Sequence, residues 1–161
     1  MIARSAVAHP ARVSAVLLSL AVTWIHVKDQ GGFPGDKMPH YVGVGYYLLE
    51  AAGVLCAVLL LAARRGSAGR AGWLLAAGVG LGPLLGYVLS RGPGLPGYSD
   101  DKGQWTEPLG VASLVVEGVL LAVALGALVA DSRVSASGRN GATAATSADS
   151  VTSENDSLAP R

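Results

Sequence analysis

Only one cysteine, Cys56, occurs in the 161 residues, which rules out a disulfide framework or a thiol pair within the chain and leaves a packed, inert thiol as the expectation. Histidine is almost as scarce. His9, His26 and His40 supply no HxxxH or ExxH spacing and no CxxC accompanies them, so a metal site is not expected. A bis-histidine haem would need a second histidine at the depth of His26, and there is none. Charge is thin as well. Asp, Glu, Lys and Arg make up 14% of the chain and sum to +1, which gives no basic face for nucleic acid. Without a phosphate loop, a nucleophile elbow or an acid and base paired as in soluble enzymes, ordinary enzymatic chemistry is not expected either.

What the chain does have is apolar length. Hydrophobic residues form 51% of it and the mean hydropathy is +0.45, too greasy for an ordinary soluble domain. The apolar runs fall at 10–27, 41–63, 71–90 and 108–130, and each approaches or exceeds the ~20 residues a helix needs to cross ~30 Å of hydrocarbon. The expected fold is therefore an all-α, four-helix transmembrane bundle over residues 1–130. The first run is the shortest, so Arg12 must snorkel toward the interface, with Pro10 expected in the first helical turn. A signal peptide is the rival reading of this segment, but no small-x-small cleavage site follows LAVTWIHVKDQ.

Basic residues set the orientation. Arg4, Arg12, Arg64, Arg65, Arg70, Arg133 and Arg139 lie at one side, placing both termini in the cytoplasm of a bacterial plasma membrane. Arg64, Arg65 and Arg70 also suit anionic lipid heads. The two opposite loops hold Lys28, Lys37, Arg91 and Lys102 among Asp29, Asp36, Asp100, Asp101 and Glu107. Residues 131–161, rich in Ser, Thr, Ala and Gly and without an aromatic side chain, read as a disordered cytoplasmic tail.

An internal repeat is visible. GFPGDK (32–37) and GLPGYSDDK (94–102) each precede a span that opens with Gly-Val and reaches a Glu seven residues after the Gly: Gly43 to Glu50, and Gly110 to Glu117. A doubled hairpin is one inference; glycine and proline gathering in any turn is the other. Glu50 and Glu117 both fall about nine residues into their spans, roughly 13 Å deep. A carboxylate facing lipid there costs a few kcal/mol, so both are expected to face inward and share one pocket. Gly78, Gly82 and Gly86 on span three, and Gly118, Ala122 and Gly126 on span four, form small-residue strips expected to admit neighbouring helices. Pro83 is expected to bend span three.

The candidate binding set is Glu50, Glu117, His26, Tyr46, Tyr47, Arg91, Glu107 and Ser113, a polar funnel in the outer half of the bundle. Tyr46 and Tyr47 stand one turn above Glu50, and Ser113 one turn above Glu117. Plainer roles stand beside this one. His26 need only donate to a carbonyl, Arg91 need only neutralise a Glu, and Trp24, Tyr41 and Trp105 suit interface anchors.

The stretch LGPLLGYVLSRGPGLPGYSDDKGQWTEPLGVASLVVEG (81–118) resembles a pattern in uncharacterised four-span membrane proteins of high-GC bacteria, with GLPG, Trp, EPLG and a later Glu in that order. More distantly, YVGVGYYLLEAAGVLCAVLLL is similar to the second span of DoxX-like four-helix proteins. That likeness implies a link to quinone or thiol oxidation, which no cysteine pair backs. Three roles stay open: an accessory subunit of a membrane complex or a homo-oligomer, with its polar pocket structural; a binding or permeation module for a proton, cation or small solute; and a quinone- or haem-linked redox accessory. No cofactor is assigned, and the lipid bilayer is the one definite partner.

Overall fold

The computed structural model describes residues 3–62 and 66–157, with side chains described over 9–62 and 67–134. It is all-helical: α1 (Ala3–Asp29), α2 (His40–Ala62), α3 (Gly66–Arg91) and α4 (Pro108–Ser157). Each contains a window long and apolar enough to cross a membrane, at His9–Asp29, His40–Ala62, Ser67–Arg91 and Pro108–Val134. The large apolar residues Leu17, Leu48, Leu61, Leu85 and Val115 point away from the core, the arrangement a bilayer solvent permits. Arg64 and Arg65 lie outside the described residues.

Residues Met1–Ala127 form one compact unit. Its helices meet where side chains are small and a polar group finds a backbone partner. The Ser19 hydroxyl of α1 donates to the Gly53 carbonyl of α2 at 3.2 Å. Cys56 of α2, fully buried, meets the Gly72 carbonyl of α3 at 3.7 Å, so the lone thiol is packed as expected. Gly80 of α3 lies directly against the α4 backbone, where a Cβ would stand 2.9 Å from the Glu117 carbonyl and 3.0 Å from the Leu121 amide nitrogen. These contacts place α1 beside α2, α2 beside α3 and α3 beside α4.

The strips expected to pack do not. Around Gly78, Gly82, Gly86, Gly118 and Gly126 a Cβ would meet nothing within 4 Å. Gly80, two residues from Gly78 and from Gly82, is on the opposite side of the helix, and that is the side α4 meets. On α4 the buried stripe is Ser113, Glu117, Leu120 and Ala124, at helical spacing beside the small-residue strip and not on it.

At the end of the bundle away from the 30–39 and 92–107 connections, Arg12 does more than snorkel. Its guanidinium donates to the Leu60 carbonyl at 2.9 Å, where the last turn of α2 leaves carbonyls free, and lies 5.5 Å from the Trp73 ring centre. Pro10 is inside α1 and not in its first turn, because the helix begins at Ala3, ahead of the apolar window.

Leu128–Arg161 form a second unit. Its backbone is helical to Ser157, where composition led to the expectation of a disordered tail; no proline interrupts it between 109 and 159. Residues 158–161 of that tail lie outside the described residues.

Candidate functional site

The second connection is shaped by its own sequence. In LPGY, Pro96 supplies the fixed φ of a turn's second position and Gly97 adopts φ +68°, while Leu95 and Tyr98 exchange backbone hydrogen bonds of 3.3 and 2.9 Å: a type II turn. The first connection is built differently. Gly35 has no positive φ and is instead wedged against the Gln30 side chain. In EPLG, the Glu107 carboxylate accepts from the amides of Leu109 and Gly110, capping α4 at its positive end, and Pro108 takes the first helical position. Gly110 then leaves room for Tyr87 and Arg91, since a Cβ there would stand 2.8 Å from each.

These elements enclose a cavity of about 390 Å³ at the loop end of the bundle. Glu117, 1% exposed, and His26 form its floor. His26 Nδ1 donates to the Val22 carbonyl at 2.9 Å, which leaves Nε2 directed at Glu117 Oε1, 3.7 Å away. The Ser113 hydroxyl, one turn before, donates to the same carboxylate oxygen. The tilted Tyr46 ring stands 5.4 Å from His26, and its hydroxyl donates to Asp29 at the mouth.

Two cations are built into the rim. The Lys37 ammonium lies 3.2 Å from Asp29 and 3.4 Å from the Tyr98 hydroxyl, over the faces of both Tyr46 and Tyr98. Burial pulls that ammonium down, but Asp29 and Tyr98 outweigh it and hold it above the ordinary 10.5. Burial likewise holds the Tyr98 phenol above 10.0, against the pull of Lys37. Arg91 stacks on Tyr87 at 3.9 Å, donates to the Gln104 carbonyl at 2.9 Å, and pairs with Asp101 at 3.3 Å and Glu107 at 3.8 Å.

Of the eight residues singled out in the sequence, His26, Tyr46, Arg91, Ser113 and Glu117 line this one cavity. Glu107 holds Arg91 and the start of α4 from just outside it. Glu50 and Tyr47 are elsewhere, so the expected shared pocket of Glu50 and Glu117 is not formed. They line a second, open groove with Thr23, Val27 and Phe33. There Glu50 accepts 2.6 Å from the Gln30 amide, and Tyr47 donates to the Gly35 carbonyl. The reason is azimuth: on α2, Val42, Gly45 and Leu49 face the cavity, while Glu50, Ala51 and Val54 turn to the groove. Gly82 and Gly86, expected to pack a helix, instead form cavity wall.

Sequence reasoning passed over Asp29, Lys37, Tyr87 and Tyr98. Two had a signal: Asp29 is three residues after His26, and Tyr87 four before Arg91, spacings that put each pair on one helix face. Tyr41, expected as an interface anchor, is exposed and also donates to the Pro96 carbonyl at 2.7 Å, tying the start of α2 to the second connection.

Fold and site together define a class: a bundle of four membrane-spanning helices with a carboxylate and a histidine at the floor of a cavity that opens at one end. Comparison with protein families, with curated proteins and with solved structures finds no match for this chain.

Proposed function

We propose that this chain is a multi-pass protein of the bacterial plasma membrane, with both termini cytoplasmic, that binds a small solute in a pocket open to the outer side. The observation that carries the reading is the cavity itself: about 390 Å³, walled by tyrosines and glycines, with Glu117 and His26 at its base. That size lies near the lower end for small-molecule sites. Beyond Glu117 the bundle interior is closed by Val22, Cys56, Leu60, Val79, Leu120 and Ala124, so binding fits this conformation better than permeation. Orientation rests on the count of basic residues along the sequence, with Arg4, Arg12, Arg64, Arg65, Arg70, Arg133 and Arg139 flanking the spans on one side against Lys28, Lys37, Arg91 and Lys102 on the other.

The test is thermal unfolding of the purified full chain against a panel of small cationic, neutral and anionic solutes. Gly86→Leu should fill the cavity and abolish ligand stabilisation, whereas Gly126→Leu, far from the cavity and facing open space, should not. Equal responses from the two variants would overturn the reading.

A second reading, an accessory subunit of a membrane complex, is favoured by one observation. The open groove beside Glu50 is walled by Val27, Phe33, Ala51, Val54 and Val58, an apolar face that a partner helix would cover. Copurification from native membrane, lost in Val54→Arg with the folded chain retained, tests it.

A further inference from the structure

We infer that the solute is a small monovalent organic cation of the ammonium class, and that it enters in exchange for one proton shared by His26 and Glu117. The inference rests on the binding reading above and names what the same cavity takes.

Charge matching comes first. Asp29 is matched by Lys37, and Arg91 answers Asp101 and Glu107. Glu117 has no such partner: the one ion pair it makes among the described residues is with His26. A carboxylate this deep in a bilayer is tolerated only when neutralised. With His26 Nδ1 committed to the Val22 carbonyl, a single proton carried either by Nε2 or by the carboxylate 3.7 Å away accomplishes that. The floor therefore has two neutral states, one with the proton and one with a cation beside an ionised Glu117 and a neutral His26. The exchange balances: the proton leaves to water as the ammonium arrives, and the charge inside is unchanged.

The walls select the cation. An anion would meet Glu117, Asp29 and Asp101, and the two cations nearby, Lys37 and Arg91, are already paired with Asp29 and with Asp101 and Glu107. A divalent metal lacks ligands, because among the described residues no group of three His, Cys, Asp or Glu side chains converges. The aromatic faces, by contrast, already hold cations of this chain. Lys37 shows the coordination directly, with its primary ammonium between one carboxylate, one phenol and two tyrosine rings at 5.3 and 5.9 Å. Tyr46 and Tyr87, each with one ring face already taken by Lys37 or Arg91, continue the aromatic lining toward Glu117.

The groups that face the exchanging pair are Asp29 from α1, Tyr41 and Tyr46 from α2, Tyr87 and Arg91 from α3, Ser113 from α4, and Lys37, Tyr98 and Asp101 from the connections. Of these the acidic and basic side chains are already paired with one another. That leaves the His26–Glu117 couple to exchange its proton.

The experiment is titration calorimetry of the full chain in detergent with ethylammonium and tetramethylammonium chloride, repeated in phosphate and in HEPES, whose protonation enthalpies differ and neither of which supplies an organic monocation. One proton released per cation bound is expected while the shared proton is in place, with apparent affinity tightening about tenfold per pH unit up to the pH at which that proton leaves and levelling off above it. Glu117→Gln should weaken cation binding at least tenfold and release no proton. Should that variant fail to fold, the buffer and pH dependence of the unaltered chain decides alone. Cation binding that releases no proton at about pH 5 and whose affinity does not change between about pH 5 and 8 overturns the exchange. Binding of neutral neopentyl alcohol or of acetate in preference to either cation overturns the ligand class while leaving a binding function standing. No heat and no stabilisation with any of the four overturns both.

Discussion

Adding one methyl group at Gly80 should separate two helices that the same change at Gly78 would leave untouched. A Cβ at position 80 would stand 2.9 Å from the Glu117 carbonyl oxygen and 3.0 Å from the Leu121 nitrogen, up to half an ångström inside the 3.4 Å where ordinary contact begins. Both atoms are backbone, so neither can swing aside; α3 and α4 must part. Overpacking of this kind costs about 1–3 kcal/mol. Alanine recovers about 0.4–1 kcal/mol by restricting the unfolded chain. Gly80→Ala should therefore be destabilised by about 1–2 kcal/mol, and Gly78→Ala, facing open space, should gain up to about 1 kcal/mol. The assay is reversible unfolding in mixed detergent and dodecyl sulfate, followed by the fluorescence of Trp24, Trp73 and Trp105. One of the displaced atoms belongs to Glu117 at the cavity floor, so Gly80→Ala should also weaken ligand stabilisation. Equal stability of the two variants would refute the α3–α4 approach and, with it, the placement of Glu117.

Three further outcomes follow from other parts of the molecule. Gln30→Leu should lose about 1–3 kcal/mol by leaving the Glu50 carboxylate without its donor, whereas Glu50→Gln, whose amide can donate to the free Gln30 oxygen, should be neutral or stabilising in the same unfolding assay. Lys37→Met should cost about 1 kcal/mol or less; because Asp29 and Tyr98 hold the ammonium above its unfolded value, the difference from the parent chain should persist through neutral pH and vanish only as pH rises past about 10.5 into the alkaline range. A cysteine placed at position 35 should react with an impermeant thiol reagent on intact cells while one at position 66 resists it, and the opposite pattern would reverse the orientation.

The two carboxylates show what a sequence of this kind discloses and what it withholds. Depth along a helix follows from rise per residue, and both Glu50 and Glu117 were legible as side chains too deep to face lipid. Azimuth does not follow in the same way. Tyr46 and Glu50 differ by only about 40° around α2, yet one lines the cavity and the other the groove, because the boundary between the two runs along that edge of the helix. The glycine strip met the same obstacle. Four-residue spacing identified a smooth face on α3, but nothing in the spacing says which face a neighbour takes; Gly80, alone on the other side, is where the backbones touch. Span length, by contrast, is an average over some twenty residues and survives local error, which is why the four helices stand where hydropathy put them. The rim divides along the same line: Tyr87 beneath Arg91 is written in a local interval of four, whereas Lys37 reaching Tyr98 joins connections sixty-one residues apart, a meeting fixed by how the two helical hairpins pack and carried by no local pattern.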